Sequence, residues 1–141
     1  MKSKVKLKKL RIDLIKKLKE SHLLFDEKKE EYNNEKKRME KKIDELSNFE
    51  RLISRQLEER YDRVLYDLKE NSINSDEEIN MLRRIFNSYY EANKSQFLIK
   101  KQDIDNKIET LRVEYNKSVK EQEMQIDELE GKLRKLNEKS D

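Results

Sequence analysis

Glu70-Asn71-Ser72-Ile73-Asn74-Ser75-Asp76-Glu77-Glu78 is the one cluster of Asn and Ser in an otherwise Lys-, Glu- and Leu-rich chain. Asn and Ser hydrogen-bond nearby backbone, so they favour turns over helix interiors. Ser75 followed by Glu78 fits a capping box, in which Ser caps a new helix and Glu reaches back to the cap's N–H. Asp76, Glu77 and Glu78 stand where a helix dipole favours negative charge. The competing reading is a polar interruption within one continuous helix. The turn chemistry favours a break, with a helix on either side.

On the N-terminal side, apolar residues recur at Leu7, Leu10, Leu14, Leu18, Phe25, Tyr32, Met39, Ile43, Leu46, Phe49, Ile53, Leu57, Tyr61, Val64 and Leu68. Steps of three, four and seven place them on one narrow helical stripe. On the C-terminal side, Ile79, Leu82, Phe86, Tyr89, Phe97, Ile104, Ile108, Leu111, Tyr115, Val119, Ile126, Leu129, Leu133 and Leu136 do the same. Two successive steps of four, Leu111 to Tyr115 to Val119, break the heptad and should unwind a supercoil locally.

Folding the chain near residue 73 brings opposite one another residues whose numbers sum to roughly 146, as an antiparallel heptad pair requires. Leu68 then faces Ile79, Val64 faces Leu82, Leu57 faces Tyr89, Phe49 faces Phe97 and Tyr32 faces Tyr115. Farther out, Leu18 faces Leu129, Leu14 faces Leu133 and Leu10 faces Leu136. The expected fold is all-α: residues 1–141 as a single antiparallel coiled-coil hairpin, helix 1 about 3–70, turn about 71–75, helix 2 about 76–138. Asp26 to Arg38 holds one apolar residue, Tyr32, so the seam should be loosely packed there.

Composition agrees. Charged residues make up 46% of the 141 and hydrophobic residues 33%, with one Gly and no Pro. That is poor material for a globular core and its turns, and typical of long helices. Low hydrophobicity also marks disordered chains. A net charge of only +3 and the regular apolar spacing speak for ordered helix instead.

The chain has no Cys, which removes disulfides, thiol catalysis and cysteine zinc sites. The single His, His22, sits beside Leu23 and Leu24 and reads as a partly buried helix residue. The single Gly, Gly131, rules out a Gly-rich phosphate loop. Carboxylates alternate with Lys and Arg at helical spacing, as on solvated faces. The expectation is a non-catalytic protein with no cofactor and no metal. No apolar run approaches a membrane span, and the N-terminal segment lacks the uninterrupted apolar centre of a signal peptide. A cytoplasmic location follows as an expectation.

Two surface features stand out. Residues 1–19 carry nine cationic side chains against Asp13 alone, net +8, which leaves −5 for the remainder of a +3 chain. Such a tip seeks an acidic partner: a protein surface, anionic lipid or nucleic acid. Nucleic acid is the least expected of these, because neither a basic fork nor a basic-aromatic surface is present. Val5, Leu10, Ile12 and Ile15 make the segment amphipathic, compatible with peripheral membrane contact. The second feature is aromatic. Phe86, Tyr89, Tyr90 and Phe97 follow the turn, opposite Tyr61 and Tyr66. One seam cannot bury them all, and Tyr66 and Tyr90 fall off the stripe.

The basic, Leu-bearing start Lys6-Leu7-Lys8-Lys9-Leu10-Arg11, the polar turn Asn71–Ser75, the aromatic second helix Ile79–Phe97 and the terminal half Leu111–Leu136 together resemble the FliJ/YscO (SctO) stalk proteins of flagellar and type III secretion systems. That resemblance is one of architecture, and it implies a non-catalytic central stalk. The paired terminal ends would enter a hexameric export ATPase, and the turn-side region would reach an export-gate membrane protein. Secretion chaperones are further partners, and the location is the inner face of the bacterial membrane. It implies an ATPase contact at Lys4, Lys8, Lys9 and Arg11 beside Leu129, Leu133 and Leu136, and a gate contact at Tyr66, Tyr89 and Tyr90. The alternatives are a generic structural coiled-coil tether or scaffold, and a membrane- or nucleic-acid-binding module using the basic N-terminus.

Overall fold

A computed structural model describes residues 2–71 and 76–140. The chain is all-α, a hairpin of two long helices: α1, Lys2–Glu70, and α2, Asp76–Ser140. Ordinary helix chemistry accounts for their length. Lys, Glu, Leu and Arg lose little side-chain freedom in a helix. Exposed pairs such as Lys107–Asp103 at 3.1 Å and Lys132–Glu128 at 3.4 Å add a few tenths of a kcal/mol each. The α1 ladder runs out at Asn71, whose N–H still donates to the Asp67 carbonyl at 3.0 Å. Three carboxylates, Asp76, Glu77 and Glu78, occupy the first turn of α2. The expected capping residue, Ser75, lies outside the described residues with the rest of 72–75.

Two compact units divide the chain: Met1–Lys37 with Ile108–Asp141 (unit 1), and Arg38–Lys107 (unit 2). Cross-seam contacts make each antiparallel. In unit 1 the Lys28 ammonium donates to the Ser118 hydroxyl at 3.1 Å, and the Gln122 amide to the Ser21 carbonyl at 3.0 Å. In unit 2 the Asn93 amide donates to the Glu50 carbonyl at 3.1 Å, and the Tyr61 and Phe86 rings meet at 4.8 Å. This is the register expected from folding near residue 73, to within a few residues.

The α1 seam of unit 1 is a strict heptad. From Leu7 to Tyr32 its half-buried residues are Leu7, Arg11, Leu14, Leu18, Ser21, Phe25, Lys28 and Tyr32, in alternating steps of four and three. Unit 2 follows another rhythm. Leu46, Glu50, Ser54, Leu57, Tyr61, Leu65 and Leu68 on α1 step four, four, three, twice over. Leu82, Phe86, Tyr90, Asn93, Phe97, Lys101 and Ile104 on α2 do the same. Eleven residues over three turns is about 3.67 per turn, slightly more than the helix's own 3.6, whereas a heptad gives 3.5. Unit 2 therefore needs no left-handed supercoil to keep its seam in contact.

That change of period corrects the sequence reading at several residues. Apolar steps of three and four through unit 2 place Phe49, Val64 and Tyr89 on the stripe. The seam instead uses Glu50, Leu65 and Tyr90, each one residue further on, and leaves Phe49, Val64 and Tyr89 exposed. Tyr90, expected off the stripe, is half-buried. In unit 1 Leu10 is also exposed, and Arg11 takes the half-buried place beside it. His22 is exposed rather than partly buried, as are Leu23 and Leu24, because Ser21 and Phe25 face α2. At the expected stutter both Ser118 and Val119 are half-buried.

Among the described residues no hydrophobic side chain is fully buried; the buried residues are Ser54 and Gln122, at 9% and 4% exposure. A half-buried Leu contributes roughly 1 kcal/mol, and polar contacts fix the alignment. The sparse stretch Asp26–Arg38 is held by its one aromatic. Tyr32 stacks on Tyr115 with centroids 4.2 Å apart and ring planes within 4°. Lys28 is bound to Ser118 a turn earlier. Spacing alone made this stretch a loose point, while the contacts give it both an aromatic and a polar fastening.

Candidate functional site

Unit 2 carries the better-formed surface. Phe49, Ile53 and Leu57 of α1 and Tyr89, Ala92 and Phe97 of α2 line an open cleft of about 350 Å³ along one flank of the seam, with Glu50 and Asn93 also in its wall. Its origin is the eleven-residue rhythm. Apolar residues one position short of the seam come to lie beside it, in a row on each helix. On α2 the row Met81, Ile85, Tyr89, Ala92 steps four, four, three, and on α1 Ile53 and Val64 are eleven apart. Phe49 is 60% and Tyr89 64% exposed, and Met81, Ile85 and Val64 are exposed as well. Ala92, the chain's one Ala, leaves a hollow between larger neighbours. A hollow flanked by large apolar side chains is what a knob from another helix fills.

The wall of this cleft is pinned. The Ser54 hydroxyl donates to the Glu50 carboxylate at 2.9 Å. Asn93 donates to the Glu50 main-chain carbonyl at 3.1 Å and to the Ser54 hydroxyl oxygen at 3.3 Å. This knot fixes how α2 sits against α1 below Ala92.

The residues expected at a gate contact separate. Tyr66 and Tyr89 are exposed. Tyr89 lines the cleft, and Tyr66 is not among its lining residues. Tyr90 packs in the seam, 5.4 Å from Phe86 by ring centroid, with the Lys94 ammonium 4.5 Å above its ring. A hydrogen bond with Tyr90 raises the Lys94 pKa above its ordinary value. Tyr90 is thus a packing residue. Phe49, Ile53 and Ala92 were passed over as surface candidates, since strict heptads put the first two in the seam. The eleven-residue spacing within Leu46–Leu68 was the signal that could have found them.

The residues expected at an ATPase contact all belong to unit 1. Lys4, Lys8 and Lys9 are exposed, and Arg11 is half-buried on the seam side. Leu129, Leu133 and Leu136 are half-buried, so they act by holding α2 against α1 rather than as a free surface. Among the described residues no group of His, Cys, Asp or Glu could hold a metal ion, and no helix is long and apolar enough to cross a membrane. Compared with known proteins, the chain matches no family model, no curated protein and no solved structure.

Proposed function

We propose that the chain is a non-catalytic protein-docking hairpin whose working surface is the apolar flank of unit 2. One observation carries this reading: Phe49 and Tyr89 stand exposed at a hollow by Ala92, with Met81, Ile85 and Val64 exposed farther along the same helices, on a wall pinned by part-buried hydrogen bonds. Exposed aromatics on a rigid, pre-ordered element make effective anchors, because binding costs little side-chain freedom. Contiguous apolar surface of this kind marks interaction sites in otherwise polar proteins.

In its specific form the proposal is a cytoplasmic stalk of a type III secretion system that couples a hexameric export ATPase to an export gate and promotes protein secretion. The resemblance in the basic start, the polar turn and the aromatic second helix supports it. Lys4, Lys8, Lys9 and Arg11, positioned by Leu129, Leu133 and Leu136, are then the ATPase contact. Tyr66 and Tyr89 are the gate contact, with Tyr90 supporting them from the seam. The rival is a structural tether that associates with itself.

Affinity capture of the full chain from its own cells, with mass spectrometry, separates the two. Recovery of a hexameric ATPase and an export-gate protein, the gate alone being lost with F49S/Y89S, is the expected result. Recovery of only this chain or filament proteins removes the stalk and leaves the tether.

A further inference from the structure

Roughly the first six turns of α1 carry two apolar stripes, and only one is used by the fold. Leu7, Leu14 and Leu18 are half-buried against α2. Val5, Ile12 and Leu23 are not: they are 69%, 58% and 60% exposed, seven and eleven residues apart along one line of the helix. Ile15 flanks the line and is exposed too. Between these residues stand Lys8, Lys9, Lys16 and Lys19, all exposed. No ion pair among the described residues engages these four lysines. The two carboxylates of the stretch, Asp13 and Glu20, are seven residues apart and so share a different line of the helix.

We propose that this outer face of α1, from Val5 to Leu23, binds an anionic lipid bilayer surface, lying in the headgroup layer with its axis parallel to the membrane. Each half of the pattern answers one half of that environment. Lysine stems lie along the headgroup region and present ammonium groups to lipid phosphates. Short branched side chains enter the first part of the acyl layer. A nucleic acid backbone would use the lysines and leave Val5, Ile12 and Leu23 in water. An acidic protein surface would do the same unless it were apolar in the same places. Only the bilayer takes both components without a matching shape. The proposal goes beyond the stalk reading. Lys8 and Lys9 belong to both surfaces, whereas Val5, Ile12, Lys16, Lys19 and Leu23 belong to this one alone.

The test is co-sedimentation of the full chain with vesicles of phosphatidylcholine alone and of phosphatidylcholine with phosphatidylglycerol. Binding should rise about tenfold or more with the anionic lipid and fall steeply with salt. V5Q/I12Q/L23Q keeps every lysine and should lose about tenfold of that binding. K16E/K19E keeps the apolar line and should lose at least as much. Circular dichroism should show unchanged helix in both, since all five side chains are exposed. Binding of V5Q/I12Q/L23Q equal to that of the unaltered chain would overturn the proposal. So would duplex DNA binding as tight as vesicle binding and indifferent to that variant, which would mark a plain polyanion surface. Lys4, Lys8, Lys9 and Arg11 are untouched in both variants, so loss of vesicle binding and loss of ATPase capture read out separately.

Discussion

The side-chain amide of Asn93 donates to the main-chain carbonyl of Glu50 across the unit 2 seam at 3.1 Å. It is a polar residue at a position where a coiled coil usually holds Leu. Ser54 completes the knot, accepting from Asn93 and donating to the Glu50 carboxylate. Polar seam residues lower stability relative to apolar ones but select one register, because any other alignment strands them.

Replacing Asn93 with Leu should therefore leave the hairpin equally or more stable and less uniquely aligned. Thermal denaturation should show a midpoint unchanged or higher. A cysteine pair at Tyr61 and Phe86, whose rings meet across the seam at 4.8 Å, should cross-link in preference to pairs one turn out of register in the otherwise unaltered chain, and lose that preference in N93L. A variant that lost several kcal/mol would show that the knot stabilises rather than specifies.

Gln122 is the most buried residue described, and its amide reaches the Ser21 carbonyl at 3.0 Å. Q122A removes one hydrogen bond and opens a small gap, and should cost about 1–2 kcal/mol. Urea denaturation gives the value. Hydrogen exchange should place the loss in unit 1, around Ser21.

The Tyr32–Tyr115 stack fastens the stretch with the fewest apolar residues. Y32A should cost about 2 kcal/mol, combining lost area with the ring–ring term, and Y32F much less. Amide exchange across residues 26–38 should accelerate in Y32A while that of the unit 2 seam does not.

Phe49 and Tyr89 project from the folded chain, so F49S/Y89S should change stability by about 0.5 kcal/mol or less. Loss of partner binding with an unchanged melting curve is the expected pairing. A large drop in the melting midpoint would mean that these rings serve the fold instead.

Arg112 and Glu109 share a bidentate contact, at 3.0 and 2.6 Å, on the outside of unit 1. The hydrogen bond from Arg112 holds the Glu109 carboxyl below its ordinary pKa. A lowered folded-state pKa means that the pair's contribution is fully present above the ordinary carboxylate range. It is lost as pH falls through the folded value. Both side chains are exposed, so the contribution is small and screened by salt. NMR titration should find Glu109 titrating at lower pH than in R112Q, with the gap narrowing in high salt.

Much of the fold could be read directly. The Asn–Ser cluster at 71–75, the helical apolar steps and the sums near 146 specified two antiparallel helices and their register to within a few residues. The candidate surface was half visible. The basic start and the aromatics after the turn were plain, but their division into seam and surface was not. Sequence spacing cannot distinguish Tyr89 from Tyr90 or Val64 from Leu65 as the inward residue. A helix of 3.6 residues per turn lies between a heptad and an eleven-residue repeat, and the two patterns part company by about half a residue after three turns and one residue after six. Only the packed pair decides, because both helices must keep facing each other at once.

What the sequence by itself determined was therefore helix, break and pairing, since these follow from residue spacing along one chain and from turn chemistry. What the tertiary structure decided was which neighbour turns inward. It thereby put Asn93, Ser54 and Gln122, which composition reads as solvent residues, inside the seam, and left Phe49 and Tyr89 outside. The physical reason is that burial belongs to the pair of helices. The partner's surface fixes which face is covered, and one residue of rotation moves a side chain about 100° around the helix.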